Sequence, residues 1–265
     1  MQILVASTAD NAALALPALS AGPSVVAITS IAQSEAASIA HAFGFRLASQ
    51  DWQGFGPGKA LFWKPSLNVS AVGREQLYER RGEELAGARG AFWLSLRWQS
   101  ETVGIVCARC GPNGQHGGLT PGEIASMLER VPRPFVMAVE GDLGGESALP
   151  AMRDATAVAG YTRILVANAK HGEHAGARIF GVSGLNNSHG GVVELDSVFA
   201  SAARLYCSPG LRVPYATHLV VEPGARSQPA GPKDIPVAVC YEVALESASS
   251  ASSRTHASVS VLNSS

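Results

Sequence analysis

Charge of either sign is scarce in this chain: only 15% of its 265 residues are Asp, Glu, Lys or Arg, and the formal net charge is −1. So even a balance makes no long-range field that would gather nucleic acid or an anionic membrane surface. That argues against a sequence-independent nuclease, and a nucleic-acid partner is not favoured. Long apolar runs are missing as well. None reaches the roughly 18 to 20 residues that span a bilayer. The amino-terminal stretch Met1-Gln-Ile-Leu-Val-Ala-Ser7 carries no basic leader and is followed by Asp10, so a cytoplasmic protein without a membrane partner is expected. Four cysteines are too few for a disulfide framework in a chain of this length. Cys107 and Cys110 form a C-x-x-C pair, but no second pair or histidine stands at zinc-like spacing, so the thiols read as core residues. Lysine is heavily outnumbered by arginine. That bias suits carboxylate or phosphate forks, and coding bias explains it equally well.

What the chain does have is apolar material, 46% of it, enough for a sizeable core in one large domain. It comes as short runs: Ile3–Ala6, Val25–Ile28, Ala60–Trp63, Leu67–Val72, Ala91–Trp98, Val103–Cys107, Phe135–Val139, Arg163–Val166, Leu195–Phe199, Thr217–Val221 and Pro236–Val243. Their length and β-branched or aromatic content predict strands. Strict alternation in Phe92-Trp-Leu-Ser-Leu-Arg-Trp98 puts Phe92, Leu94, Leu96 and Trp98 on one face, and Gln99-Ser-Glu-Thr102 turns the chain into an antiparallel hairpin. Helices are fewer. Asp10 is placed to cap Asn11–Leu19, and Ser34 to cap a segment reaching about Ala42. Thr120, Pro121 and Glu123 form a capping box that opens a helix to Arg130. Strands with a few helices between them point to an α/β sandwich, two mixed sheets face to face with helices outside. The charge-rich stretch 75–89 reads as an exposed loop or frayed helix, and 167–191, rich in Gly, Asn and His, as a long loop near the site. No repeat or linker divides residues 1–245, and the Ser/Ala-rich tail 246–265 reads as disordered.

Acids close several of these runs. Pro134-Phe-Val-Met-Ala-Val-Glu-Gly-Asp142-Leu-Gly-Gly145 ends a buried strand on a Gly-Asp turn. Val192-Val-Glu-Leu-Asp196 and Gly231-Pro-Lys-Asp234 place two more aspartates beside strands. Asp142 and Asp234 also have a turn or capping reading. Asp196 among Val193, Leu195, Val198 and Phe199 needs a partner or a raised pKa. Three other signals are weak. Gly54-Phe-Gly-Pro-Gly58-Lys59 lacks phosphate-loop spacing and reads as a turn. His171-Gly-Glu173-His174 carries a glycine that opposes a metal-binding helix. His116 sits in the Gly-rich segment 113–118 and reads either as solvent-exposed or as a displaced base.

The order strand, Gly-Asp, strand with Asp, final strand opening on Asp resembles the endonuclease/exonuclease/phosphatase superfamily over most of residues 1–245. Gln2–Ser7 is similar to that superfamily's first strand, Ser24–Ser30 to its second, and Gly58–Trp63 with Leu67–Val69 to its central pair. Leu119–Glu123 is similar to the segment leading to its Gly-Asp-x-Asn motif. The resemblance implies a four-layer α/β sandwich in which acids hold Mg²⁺, a histidine activates water, and an Asn with a second His stabilises the phosphate. Carried over by position, Asp142 keeps the motif's acid while its Asn falls on Gly144. The first-strand Asn falls on Ser7, the metal-binding Glu on Ser30, and the mid-chain His or Tyr on Arg109 or Cys110. Asp196 keeps the penultimate acid, and the closing Ser-Asp-His becomes Lys233-Asp234-Ile235. Each lost acid–base group costs about a hundred- to ten-thousand-fold in rate. The expectation is therefore a divergent enzyme performing metal-independent acid–base chemistry on a small organic molecule, with no cofactor. Asp142, Asp196, Asp234 and Arg109 would carry the chemistry, and Ser7, Ser30, Trp63 and His116 would contact substrate. The alternatives are an Mg²⁺-dependent phosphoesterase or nuclease recruiting Glu140, Glu194 or His116, and a non-catalytic binding module on the same fold. Substrate identity and oligomeric state leave no signature in the sequence.

Overall fold

The structure is a computed structural model that describes residues 1–6, 22–48, 58–81, 84–110, 119–141, 143, 152–168, 178–182, 204–222 and 237–246. Its strands are β1 (Gln2–Ala6), β2 (Val25–Ile31), β3 (Arg46–Leu47), β4 (Gly58–Trp63), β5 (Asn68–Arg81), β6 (Glu84–Trp98), β7 (Glu101–Arg109), β8 (Phe135–Glu140), β9 (Arg153–Asp154), β10 (Tyr161–Asn168), β11 (Arg178–Val182), β12 (Arg204–Cys207), β13 (Leu211–Glu222) and β14 (Val237–Leu245). Two helices are described, α1 (Gln33–Phe43) and α2 (Pro121–Leu128). The strands form an eight-stranded sheet, β11-β10-β13-β14-β1-β2-β4-β3, and a six-stranded sheet, β5-β6-β7-β8-β12-β9.

The alternation of the strands explains the layering. Ile3 and Val5 of β1, Leu61 and Trp63 of β4, Phe92, Leu94 and Leu96 of β6, and Ile105 and Cys107 of β7 form one buried cluster between the sheets. The alternate residues face outward. Leu4, Val26, Ile28 and Phe62 pack under Ala36 and Ile39 of α1, while Val106, Ala108, Met137 and Val139 pack under Ile124, Met127 and Leu128 of α2. Strand β2 is buried at every position because one face meets the other sheet and the other a helix. The result is the expected four-layer α/β sandwich, helix, sheet, sheet, helix, with mostly antiparallel pairing. Among the described residues no helix is long and apolar enough to cross a membrane.

Three pairs of described strands run parallel, one of them β10 with β13. β1 runs beside β2 in one sheet and β7 beside β8 in the other. Parallel neighbours bring their carboxyl ends to the same edge, the place where α/β folds bind ligands.

Several local expectations hold. Thr120 Oγ1 accepts from Glu123 N at 3.3 Å while Glu123 Oε2 accepts from Thr120 N at 2.8 Å, with Pro121 in the first turn. The β6–β7 turn is tight, Trp98 facing Glu101, and Gln99 adopts the positive φ of 57° that such turns demand. Other expectations are corrected. The described residues of 75–89 are strand, not loop or frayed helix: β5 and β6 pair from Glu75 opposite Ala91 to Arg81 opposite Glu84, with a register shift between Glu79 and Arg80. A ribbon of this kind is held by its backbone ladder and needs no apolar period. The stretch 167–191 contains the end of β10 and all of β11. α1 begins two residues early, capped by Ala32 rather than Ser34, because Glu35 Oε2 reaches back to Ala32 N at 3.3 Å. α2 stops at Leu128, short of Arg130. Asn11–Leu19, Leu195–Phe199, 171–174 and 247–265 lie outside the described residues.

Candidate functional site

The edge formed by the carboxyl ends of β1, β2, β7 and β8 is built from small displacements in regular strands. β2 bulges between Ile28, which faces Ala60, and Ile31, which faces Gly58. The extra residue leaves Thr29 and Ser30 opposite Lys59. Thr29 Oγ1 donates to Ala6 O at 3.5 Å, tying the ends of β1 and β2 together. Across the sandwich, Cys107 Sγ donates to Ile28 O at 3.7 Å, so the ends of β2 and β7 meet.

Lys59 shares the face of Leu61 and Trp63, which points at the opposite sheet. Arg109 continues the inward face of Ile105 and Cys107, and Glu140 that of Val136 and Ala138. β7 and β8 are in register, Arg109 beside Glu140, and Arg109 Nη2 donates to Glu140 Oε2 at 3.1 Å. Lys59 is 7% exposed, and it lies close enough for the charges of Arg109 and Glu140 and the Cys107 thiol to act on it. Three ionic groups from three strands therefore share the inner space between the sheets at one edge.

Burial acts on the protonation of Lys59 and Cys107. It lowers Lys59 to about 8, with Arg109 pushing the same way against Glu140 and Cys107. Burial also raises the Cys107 thiol to about 12, Glu140 adding to the effect against Lys59 and Arg109. A good part of Lys59 is therefore a neutral amine in mildly alkaline solution, whereas Cys107 stays a thiol. Cys110 points to the other side of its strand, into the layer beneath α2. The C-x-x-C spacing thus separates the two thiols, as three steps along a strand must.

A glycine fixes how the chain leaves this edge. Gly141 has φ of 100°, and a Cβ there would lie 2.0 Å from the Cys110 carbonyl oxygen. Cys110 N donates to Glu140 O at 2.7 Å, and Leu119 N to Arg109 O at 2.8 Å. The turns following β7 and β8 are thereby locked together, and Asp142 is the next residue after Gly141.

Of the residues singled out in the sequence, the structure brings Ser30 and Arg109 to this edge. Trp63 belongs elsewhere. It lies opposite Val25 at the amino end of β2, four residues along β4 from Lys59 and about 13 Å away at strand rise, packed in the central cluster. Asp142, Asp196, Asp234, Ser7 and His116 lie outside the described residues. Arg109 holds Glu140. Lys59 was read as part of a glycine-rich turn and of the strand Gly58–Trp63, with no role at the site. The available signal was its place as the polar inward-facing member of an otherwise apolar run.

Among the described residues no three His, Cys, Asp or Glu side chains gather as a metal site. No protein-family model matches the chain, and no curated protein matches it. Solved structures do match its shape. An endonuclease/exonuclease/phosphatase family protein from Leptotrichia buccalis superimposes with a TM-score of 0.59 at 11% identity, covering 92% of this chain and 100% of that one. A mannosyl-6-phosphatase from Bacteroides thetaiotaomicron gives 0.58 at 12% identity over 92% and 100%. A second family member from the same organism gives 0.55 at 14% over 92% and 98%. The chain thus shares the fold of those proteins.

Proposed function

We propose that this chain is an enzyme on a phosphoesterase-like fold that performs metal-independent acid–base chemistry on a small organic anion. The observation that supports this reading is the Lys59–Arg109–Glu140 cluster at the carboxyl edge of the two sheets. A Mg²⁺ ion requires several hard oxygen ligands, carboxylates foremost. The side chains described here offer it a serine at the position of the family's glutamate, a lysine, and an arginine already paired to the one carboxylate. Among the described residues, a cationic fork paired to a single carboxylate beside an amine offers a divalent metal little. It fits an anion: the guanidinium of Arg109, oriented by Glu140, presents a fork to a carboxylate or phosphate oxygen. Lys59 beside it is a proton acceptor tuned near neutrality, which is what general base catalysis asks of a lysine. Asp142, one residue past Gly141, and Asp196 and Asp234 complete the reading as further acids or bases.

Thermal melting tests it. Magnesium ions are expected to leave the melting temperature unchanged, whereas small carboxylates or phosphate raise it in the native protein and fail to do so in Arg109→Met. A rise of several degrees with Mg²⁺, together with chelator-sensitive hydrolysis of a phosphodiester, would replace this reading with the phosphoesterase one. Full function in Asp142→Ala and Asp196→Ala would support the binding module.

A further inference from the structure

We infer that the substrate class of this site is a carbonyl compound bearing a carboxylate, such as a 2-oxo acid, and that Lys59 captures it as an imine while Arg109 grips its carboxylate. The inference rests on the anion-site reading and deepens it. Of the two nucleophiles that β4 and β7 bring together, Cys107 is fully buried with its S–H directed at Ile28 O, and burial keeps it from ionising. That leaves the amine. Lys59 is buried beside a second cation, Arg109, the setting in which a lysine becomes a nucleophile toward carbonyls. Glu140 draws the guanidinium of Arg109 to a fixed place beside it, so the carboxylate of a short bifunctional molecule and its carbonyl carbon have one donor each.

The step balances without a co-reactant. The lone pair of the Lys59 nitrogen adds to the carbonyl carbon, the carbonyl oxygen departs as water with the two hydrogens of the amine, and a C=N bond replaces C=O. No electron is gained or lost. The imine then draws electrons from the adjacent carbon, which eases proton removal or bond cleavage there.

The chain contains four lysines, Lys59, Lys64, Lys170 and Lys233, which makes trapping site-resolved. The full-length protein is incubated with pyruvate and sodium cyanoborohydride, and peptide mapping that separates Lys59 from Lys64 locates the reduced adduct. One adduct at Lys59 is expected, absent in Lys59→Met, reduced at least tenfold in Arg109→Met, and at least tenfold weaker when acetone replaces pyruvate. Circular dichroism confirms that both variants fold. Label distributed over Lys64, Lys170 and Lys233 with none at Lys59 overturns the inference. So does label at Lys59 that is indifferent to Arg109 and to the carboxylate. If pyruvate raises the melting temperature in an Arg109-dependent way but nothing is trapped, the imine fails and the anion site stands. If neither occurs, both fail.

Discussion

The two ends of the sandwich each hold a set of charged side chains, and the sets are organised differently. At the end away from the candidate site Arg153 of β9 pairs with Glu246 at 3.4 Å, and along the β12–β9 margin of the same sheet Arg204, opposite Val139, pairs with Asp154 at 3.8 Å. Arg153 also donates to Leu211 O, and Asp154 Oδ1 accepts from Thr156 N at 2.8 Å and Ala157 N at 3.3 Å. Each of these cations meets one carboxylate, and Arg153 and Glu246 are 35% and 36% exposed. At the site end, among the described residues, two cations surround one carboxylate, and Arg109 and Glu140 are 16% and 23% exposed. Those pairs are arranged as structural clasps are, part in water. The Arg109–Glu140 pair is more deeply buried, and a buried ion pair is weak evidence for a role in stability alone.

The comparison can be broken first at its glycines. Gly141 at the site end and Gly210 at the far end both have positive φ, 100° and 91°. A Cβ at Gly210 meets Pro134 Cβ at an ordinary 3.5 Å, whereas one at Gly141 collides with the Cys110 carbonyl. Gly210→Ala is expected to cost about 1–2 kcal/mol, the price of the left-handed backbone alone. Gly141→Ala is expected to cost more than about 3 kcal/mol, since the locked turns must separate. Denaturant unfolding of the two variants measures both. Equal losses would mean that the turn after β8 is no tighter than an ordinary one.

How much of this was legible beforehand depends on what each feature rests on. Strands that fill the core announced themselves through alternation, as Phe92, Leu94 and Leu96 did, and α2 through Thr120, Pro121 and Glu123. The ribbon extension 75–89 was not legible because its backbone pairing leaves no periodic mark. The partner of Arg109 was not legible either. Glu140 meets it only through the parallel register of β7 and β8, which brings together residues 31 positions apart. Lys59 was hidden by its flanks: the glycines before it imitate a turn, and lysine is rarely buried this deeply. The aspartates that drew attention first, Asp142, Asp196 and Asp234, lie outside the described residues.

The next largest effect is in pH dependence. The folded protein holds the Lys59 proton more weakly than the unfolded chain, about 8 against 10.5. The unfolded state therefore carries more protons between those values, and stability at this residue rises with pH through that window by about 3 kcal/mol. Cys107 acts the other way above pH 9, because the unfolded thiol ionises there while the folded one stays protonated to about 12. Tyr241, raised by burial against Thr156 at the middle of the sandwich, adds to that decline. Lys59→Met is expected to remove the rise and leave the decline, so the difference between variant and native curves isolates Lys59. Identical curves would mean that Lys59 titrates as an exposed lysine, and its role as base would fall.

Removing the carboxylates compares the two ends directly. Glu140→Gln leaves Lys59 and Arg109 facing each other with their shared partner neutralised, and should cost about 2 kcal/mol. It should also push Lys59 further down, since Glu140 is one of the groups that raises it. Glu246→Gln breaks a pair that water already screens, and should cost less than about 1 kcal/mol. Salt separates the two: the small loss at Glu246 should vanish in high salt, while the loss at Glu140 should persist because buried charges are poorly screened. If the two variants lose the same amount and respond alike to salt, the ends are equivalent clasps, and the case for a functional edge between β2, β4, β7 and β8 loses its energetic support.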